Sequence, residues 1–512
     1  MTARRSRLSR AAPLLGVLLT LAACSSSPDT SSPDTSGPAQ ATSAPSGSVA
    51  AVCDKEPAGP TAAPAGAVIV DPAVPNDLAV KTRSAGPGTT FWLKPGKHIL
   101  GDDKYDQVSP KDGNVYIGAP GAILDGRKIN QYAFTGHGNN VKLTYLTVQG
   151  FAAPRDEGVV NHDSGDGWLI EHSTIQDNDG AGLMAGARQQ VRGNCLRRNG
   201  QYGINAFSGS TPITALVVEG NEIAGNNTGD WETKIDGCGC TGGVKFWDVN
   251  GADVRGNWVH DNHGTGLWAD TNNNDFLIEG NLIENNDSAA IIYEISYNAI
   301  IRDNTIRKNN WVDGRKYADK GDNFPTPAIY ISESGGEPRI KARTAKLEIS
   351  RNYLENNWSG ITLWENADRY CNSPANTSSG DCTRLVPDVK TCAAPAITTE
   401  PLLSDCRWKT QHVDIHDNKF VLDPAVVGCQ ASCGRMALLS NFGTYPDWSP
   451  YKRDVVQEAI TYKQDNRWHD NSYAGPWTFI PYTTDRVVEI GEWEGSPYSQ
   501  DTGSTFTAQG GG

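Results

Sequence analysis

Six segments of the chain share one short form: GNCLRRN, GNEIAGN, GNWVHDN, GNLIENN, DNTIRKN and RNYLENN. Each sets an Asn, an apolar residue two positions on, and a second Asn five positions after the first. The first Asn residues are Asn194, Asn221, Asn257, Asn281, Asn304 and Asn352, so the gaps are 27, 36, 24, 23 and 48 residues. A period of this size marks a chain built of stacked repeats. The short gaps fit one coil of a right-handed parallel β-helix, and the long ones fit a coil with an insertion. Apolar residues do not recur at i, i+3, i+4 and i+7, which excludes an amphipathic helix. The apolar runs are short, rich in β-branched residues and closed by Gly, Asn or Asp, as strands are. An Asn held at one turn position in every coil can stack into a ladder, each amide bonding the next coil's amide or backbone.

The ends of the chain read differently. Arg4, Arg5, Arg7 and Arg10 precede APLLGVLLTLAA, an apolar run too short to stay in a bilayer as a helix. It closes on LAAC, Leu21 to Cys24, which resembles a bacterial lipobox; the resemblance implies lipidation of Cys24 after removal of residues 1–23. The alternative is an ordinary secretory signal with a chance Cys. The region 24–53 is rich in Ser, Pro and Thr and reads as a flexible tether. The β-helix is expected over 54–440, and 441–512 reads as a strand-and-loop cap over the last coil's open edge. Losing the four Arg of the first 23 residues takes the formal charge from −14 to −18. So acidic a surface repels nucleic acid, which is not expected as a partner, and weighs against polyanionic glycans. Removing Cys24 leaves ten of the eleven Cys, an even number that favours disulfides in an exported chain. A metal at Cys238–Cys240 is the competing reading, but no His stands at finger spacing, and neither metal nor cofactor is expected.

A second strand in each coil aligns by its small-apolar opening: GVVNH at 158, GLMAG at 182, GINAF at 203, GVKFW at 243, GLWAD at 266, AIIYE at 290, AIYIS at 328 and GITLW at 360. Side chains alternate along a strand. Positions two and four then point inward, as Val244 and Phe246 or Ile291 and Tyr293 do. The outward third column reads Val160, Met184, Asn205, Lys245, Trp268, Ile292, Tyr330, Thr362. The outward fifth column reads His162, Gly186, Phe207, Trp247, Asp270, Glu294, Ser332, Trp364. Asp270 and Glu294 become neighbours one coil apart. Like charges side by side destabilise a sheet, so a pair set among aromatic residues points to chemistry. Retaining glycosidases hold two carboxyl groups about 5–5.5 Å apart, near one strand spacing of about 4.8 Å. Like-charge coupling is expected to lift the pKa of one of them. Trp247, Trp268, Tyr330 and Trp364 are candidate substrate-binding rings and Lys245 a candidate substrate-binding cation; the bland reading is rings packed under an insertion and a solvated charge. Asp248 and Glu365, one residue past the fifth column, are candidate supporting acids. His260 or His263 is a candidate to orient a carboxylate.

The stretch from about Thr89 to Leu439 resembles secreted right-handed β-helix proteins of the pectate-lyase-like superfamily. Within it, HGTGLWADTNNNDFLIEGNLIENN followed by IIYE resembles β-helix glycoside hydrolases of the β-xylosidase type. That resemblance implies Asp270 as nucleophile and Glu294 as general acid/base, acting on an oligosaccharide or polysaccharide. Two other readings stand beside it. A polysaccharide lyase needs clustered Arg or Lys, or Ca²⁺, beside a base, and the outward columns offer one Lys and no Arg. A non-catalytic glycan-binding lipoprotein is the third. The expected location is the outer face of a bacterial cell membrane, held by the lipid on Cys24 or partly released.

Overall fold

The computed structural model describes residues 49, 51–209, 211–235, 238–375, 382–429, 432–444 and 446–507. Cys24 and most of the expected tether lie outside the described residues. The chain winds into three all-parallel sheets, two of thirteen strands and one of ten. The first sheet runs from Val68–Val70 to Arg467–His469. The second runs from Gly96–Ile99 to Thr505–Thr507, and the third from Gly158–Val160 to Thr478–Tyr482. From Gly158 to Tyr482 each coil gives one strand to each sheet, whereas the earlier coils give strands to the first two sheets only, so a strand's partners lie in the coils before and after it.

The Asn repeat builds the second sheet. The apolar residue of each motif, from Leu196 through Ile223, Val259, Ile283 and Ile306 to Leu354, is buried in the core. The Asn residues on either side form two buried ladders. Asn194 Nδ2 donates to Asn221 Oδ1 at 3.0 Å, and the series continues through Asn257, Asn281, Asn304 and Asn352. The second ladder begins at Asn178 and runs from Asn199 through Asn226, Asn262, Asn286 and Asn309 to Asn357. Asn257 shows what a rung does. Its Nδ2 donates to Val218 O and Asn281 Oδ1, both at 2.9 Å, and its Oδ1 accepts from Asn221 N and Nδ2, both at 3.0 Å. Stranding a buried polar group costs about 1–3 kcal/mol. Asn257→Ala should therefore lower stability by about 3 kcal/mol or more, read as a fall in the urea midpoint. A loss under about 1 kcal/mol would show that the ladder is ornamental.

Inside the coils the third sheet presents Val244 and Phe246, Leu267 and Ala269, Ile291 and Tyr293, Ile329 and Ile331, and Ile361 and Leu363, all buried. Phe276 meets Phe246 and Tyr293 edge-on, with centroids 5.2 and 5.7 Å apart. The helix Asp77–Ser84 packs at the first coil, and the helices Asp454–Tyr462 and Ile490–Glu494 at the last.

Two boundaries differ from the sequence expectation. The β-helix does not stop at 440: Arg467–His469, Ser472–Ala474 and Thr478–Tyr482 each extend one of the three sheets, so 441–482 is a coil with an insertion rather than a cap. The first ladder runs on through Asn418 and Asn471, 66 and 53 residues apart from their predecessors. The tether ends early as well. Cys53 is bonded to Cys195 in the fifth strand of the second sheet. Glu222 Oε2 accepts Val52 N and Cys53 N at 2.6 and 2.8 Å, and Arg197 Nη1 donates to Cys53 O at 3.1 Å. The other eight Cys pair as Cys238–Cys240, Cys371–Cys382, Cys392–Cys406 and Cys429–Cys433. The sulfurs of Cys238 and Cys240 thus close on each other.

Candidate active site

The register of the third sheet follows from its hydrogen bonds. Asn205 stands beside Lys245, Lys245 beside Trp268, and Trp247 beside Asp270. Ala269 pairs with Tyr293, which sets Asp270 beside Glu294, and Glu294 pairs with Ser332. The alignment fails only at the first coil, where Val160 pairs with Leu183 and not with Met184. Asn161 adopts a left-handed conformation there and turns its amide to Gly165 O and Gln189 Oε1, ending the strand early. His162 leaves the column and stacks on Tyr132 at 3.6 Å.

Each of the two neighbouring acids has its own cation. Lys245 Nζ lies 2.9 Å from Asp270 Oδ2, and Thr271 Oγ1 donates to Asp270 Oδ1 at 2.9 Å. Arg369 Nη1 contacts Glu294 Oε1, and Trp268 Nε1 donates to Glu294 Oε2 at 3.2 Å. Trp268 joins the two halves, because the Lys245 ammonium also sits 3.8 Å from its ring centroid, a favourable cation–π distance. One face of the ring is therefore occupied, and at most the other is left for a ligand. The like-charge conflict expected between Asp270 and Glu294 is relieved by these two cations. Asp270 is 9% exposed and Lys245 8%, so the pairing sits in a partly water-excluded place.

The column one residue further on turns the chain. Asp248, Thr271, Ile295 and Glu333 have φ of 50°, 42°, 38° and 43°. A β-branched residue at positive φ is a genuine outlier, worth about 1–3 kcal/mol of strain. Thr271 and Ile295, which directly follow the two acids, are both of this kind. Stacking holds them: Asn272 N donates to Ile295 O at 2.7 Å, and Ile295 N to Ser332 O at 2.8 Å.

Glu333 occupies the same column and is fully buried. Its Oε1 accepts Asn366 N at 2.6 Å, and its Oε2 accepts Ser332 Oγ at 2.5 Å and Arg369 Nη1 at 3.1 Å. Burial pushes its carboxyl up to about 7, with Arg369 pulling down and Glu294 pushing up. Arg369 thus bridges Glu294 and Glu333. Asp248 is held by Arg384 Nη2 at 2.9 Å, and burial raises its carboxyl. Glu365 is buried against Arg407, with Gln464 Nε2 at 2.9 Å, and burial raises it too.

The insertions decide what stays open. The segment 309–327 lays Phe324 edge-on over Tyr330 and Trp364, with centroids 6.0 and 5.6 Å apart. Tyr330 and Trp364 are 8% and 3% exposed and belong to the core. They offer no open face to a sugar, which corrects the expectation for both. Trp247 is half-buried, with Phe207 edge-on to it at 6.5 Å. The insertion after Trp364 is stapled by Cys371–Cys382 and Cys392–Cys406 around Tyr370 and Ile397. It bends back onto the turn after Asp270: Arg384 Nε donates to Asn272 O at 2.7 Å, and Trp408 Nε1 to Asn272 Oδ1 at 3.0 Å. His260 and His263 do not orient the acid pair. His260 bonds Glu222 and Asp261, and His263 bonds Asp287.

A family model described as a right handed beta helix region matches residues 157–372. The chain is a right-handed parallel β-helix protein. No curated protein matches its sequence. Among solved structures, this β-helix is similar to the catalytic unit of a thermostable GH87 alpha-1,3-glucanase from Streptomyces thermodiastaticus. The identity is 12%, the match covers 88% of this chain and 70% of that one, and the TM-score is 0.49. It is also similar to the A-module of the mannuronan C-5 epimerase AlgE4 of Azotobacter vinelandii, at 16% identity over 59% of this chain and 91% of that one, TM-score 0.36. A third is XylC in complex with xylose, at 13% identity over 70% and 55%, TM-score 0.37.

Sequence reasoning about this β-helix missed Glu333, Arg369 and Arg384. Glu333 was within reach, since it shares the column of Asp248 and Glu365. The two arginines lie in an insertion with no repeat to place them.

Proposed function

We propose that this β-helix is a carbohydrate-active enzyme, a retaining glycoside hydrolase in which Asp270 is the nucleophile and Glu294 the general acid/base. The observation that carries the reading is the register of adjacent coils, in which Asp270 and Glu294 directly follow the paired Ala269 and Tyr293 on strands whose backbones lie about 4.8 Å apart. A carboxyl separation of that order would suit a covalent intermediate and leave too little room for the water that an inverting pair must hold between its carboxyls. The strained turns directly behind both acids add support, since such strain collects at functional sites.

In the first step an Asp270 oxygen attacks the anomeric carbon. The bond to the leaving oxygen breaks, Glu294 gives that oxygen a proton, and a glycosyl ester on Asp270 and a free alcohol result. In the second step water attacks the same carbon, Glu294 takes its proton, and Asp270 departs as a carboxylate. Two inversions give net retention. Lys245 and Thr271 fix the attacking carboxylate, and Trp268 fixes the edge of Glu294. Arg369 contacts both Glu294 Oε1 and Glu333 Oε2 and so fixes the other edge of Glu294 beside the buried Glu333.

A uronate-directed reading draws on the cations that the insertion brings to this face, Arg369 and Arg384, although both are engaged by acids. One panel separates the readings. The protein is incubated with neutral and uronic oligosaccharides, and new reducing ends and new double-bond absorbance are followed together. Reducing ends without the absorbance support hydrolysis, the absorbance supports a lyase, and neither supports a passive glycan binder.

The protein is further proposed to be exported and held at the outer face of the cell membrane by a lipid on Cys24. Labelled palmitate should enter the wild-type protein, and Cys24→Ser should abolish the label and release the protein to the medium. Unchanged labelling of the variant would refute the anchor.

A further inference from the structure

The largest insertion rejoins the solenoid through residues 407–412, and there it leaves a lysine outside any ion pair among the described residues. Lys409 lines a cleft of about 300 Å³ between residues 400–411 and the helix Asp454–Tyr462 with its following turn. Among the described residues no carboxylate stands at ion-pair distance from its ammonium and no acceptor takes a hydrogen bond from it; Glu337 and Glu365 act on it only at longer range. The acids nearby are already committed. Glu365 holds Arg407, Thr410 N and Gln464 Nε2. Glu337 holds Arg339 at 2.8 Å and Gln411 Nε2 at 3.3 Å. Glu400 turns back to Ser404, accepting its N–H at 3.1 Å and its Oγ–H at 2.7 Å.

The same cleft has further cations. Arg407 lies over the Tyr451 ring at 5.5 Å with Nη1 on Glu365 and Nη2 donating to Gln464 Oε1 at 2.9 Å, so it adds positive charge more than free donors, and Lys463 stands at the rim in a loose contact with Glu458 at 3.9 Å. Burial and the neighbouring Arg407 push the Lys409 amine down, and the longer-range pull of Glu337 and Glu365 does not offset them. A half-buried charge without a partner is costly. In a chain with a formal charge of −14, a lysine left outside any ion pair in a cleft is an exception that asks for a ligand.

We propose that this cleft, floored by Arg407 and Lys409 and rimmed by Lys463, binds an oxyanion: the carboxylate of a uronic acid unit or a phosphate group. Lys and Arg side chains converging in a concave site recognise such groups by charge-assisted hydrogen bonds. The volume admits one sugar ring or one phosphate. The site is independent of Asp270 and Glu294, so the proposal stands or falls apart from the hydrolase reading.

The test is isothermal titration of the full chain with sodium D-glucuronate, with inorganic phosphate and with neutral D-glucose, at matched ionic strength. Saturable binding of either anion, without binding of glucose, is expected. Glucuronate alone would identify a sugar acid, phosphate alone a phosphate group, and both an unselective oxyanion site. Lys409→Gln should weaken that binding at least tenfold. Lys409→Met keeps length without charge; its unliganded unfolding midpoint should match or exceed the wild type's, and the anion should raise the wild-type midpoint but not the variant's. Failure of both anions to saturate the wild type, or equal binding by Lys409→Gln, overturns the proposal.

Discussion

Asp270→Asn is expected to lose at least about 10³-fold in kcat on any glycoside that the wild type cleaves, with its fold intact. The variant keeps the shape of the side chain and its bonds from Lys245 and Thr271 but cannot form a stable glycosyl ester. Glu294→Gln should lose about 10²–10⁴-fold, the range for a positioned acid/base. The two losses differ in kind, and that difference is diagnostic. An aryl glycoside with a good leaving group needs no proton in the first step, so Glu294→Gln should release aryl alcohol in a burst and then stall at hydrolysis of the ester. Asp270→Gly should stay inactive until azide is added, and should then form a glycosyl azide of inverted configuration. A fully active Asp270→Asn/Glu294→Gln double variant would end the hydrolase reading.

The second large effect concerns Arg369. Removing one partner from a buried ion cluster costs about 3–5 kcal/mol, and Arg369 serves two carboxylates at once, Glu294 and the fully buried Glu333. Arg369→Leu should lose stability in that range at pH 8. The pH dependence carries the sign. Glu333 is raised from the ordinary 4.5 to about 7 in the folded chain. Between those values the native state keeps a proton that the unfolded chain has given up. Wild-type stability should therefore fall as pH rises through the window, by roughly 3 kcal/mol in all from this group, and the contribution should level off above it. Glu333→Gln should flatten that fall. In Arg369→Leu the decline should continue past pH 7, because Glu333 then holds its proton to higher pH. The double variant should lose less than the sum of the single losses, as coupled neighbours do. Urea unfolding at pH 5, 7 and 8 measures each of these, and parallel curves for wild type and Glu333→Gln would show that the proton resides elsewhere.

The solenoid and the columns from Gly182 to Trp364 were readable because two regularities reinforce each other. Asn recurs at one turn of each coil, and side-chain alternation then leaves only one consistent register for the strands between. The register broke at Val160, where a left-handed Asn161 cuts the strand and no periodicity signals it. The last coil hid for a related reason: NRWHDN repeats the motif from Asn466 to Asn471, but long insertions carry it out of step. Burial of the outward face was not readable. Nothing in the strand containing Tyr330 says that Phe324 will lie on it. Arg369 and Arg384 find Glu294 and Asp248 through a disulfide-stapled loop whose path follows no repeat. An even Cys count announced pairing, while the partners emerged only from the geometry.

The clasp between Cys53 and Cys195 has a mechanical corollary. It grips the solenoid by its flank, in the fifth of thirteen strands, and not by its tip. Cys24 precedes Cys53 by 29 positions. With a lipid on Cys24, the molecule would ride like a barge on a midships mooring, its long axis free to swing parallel to the surface.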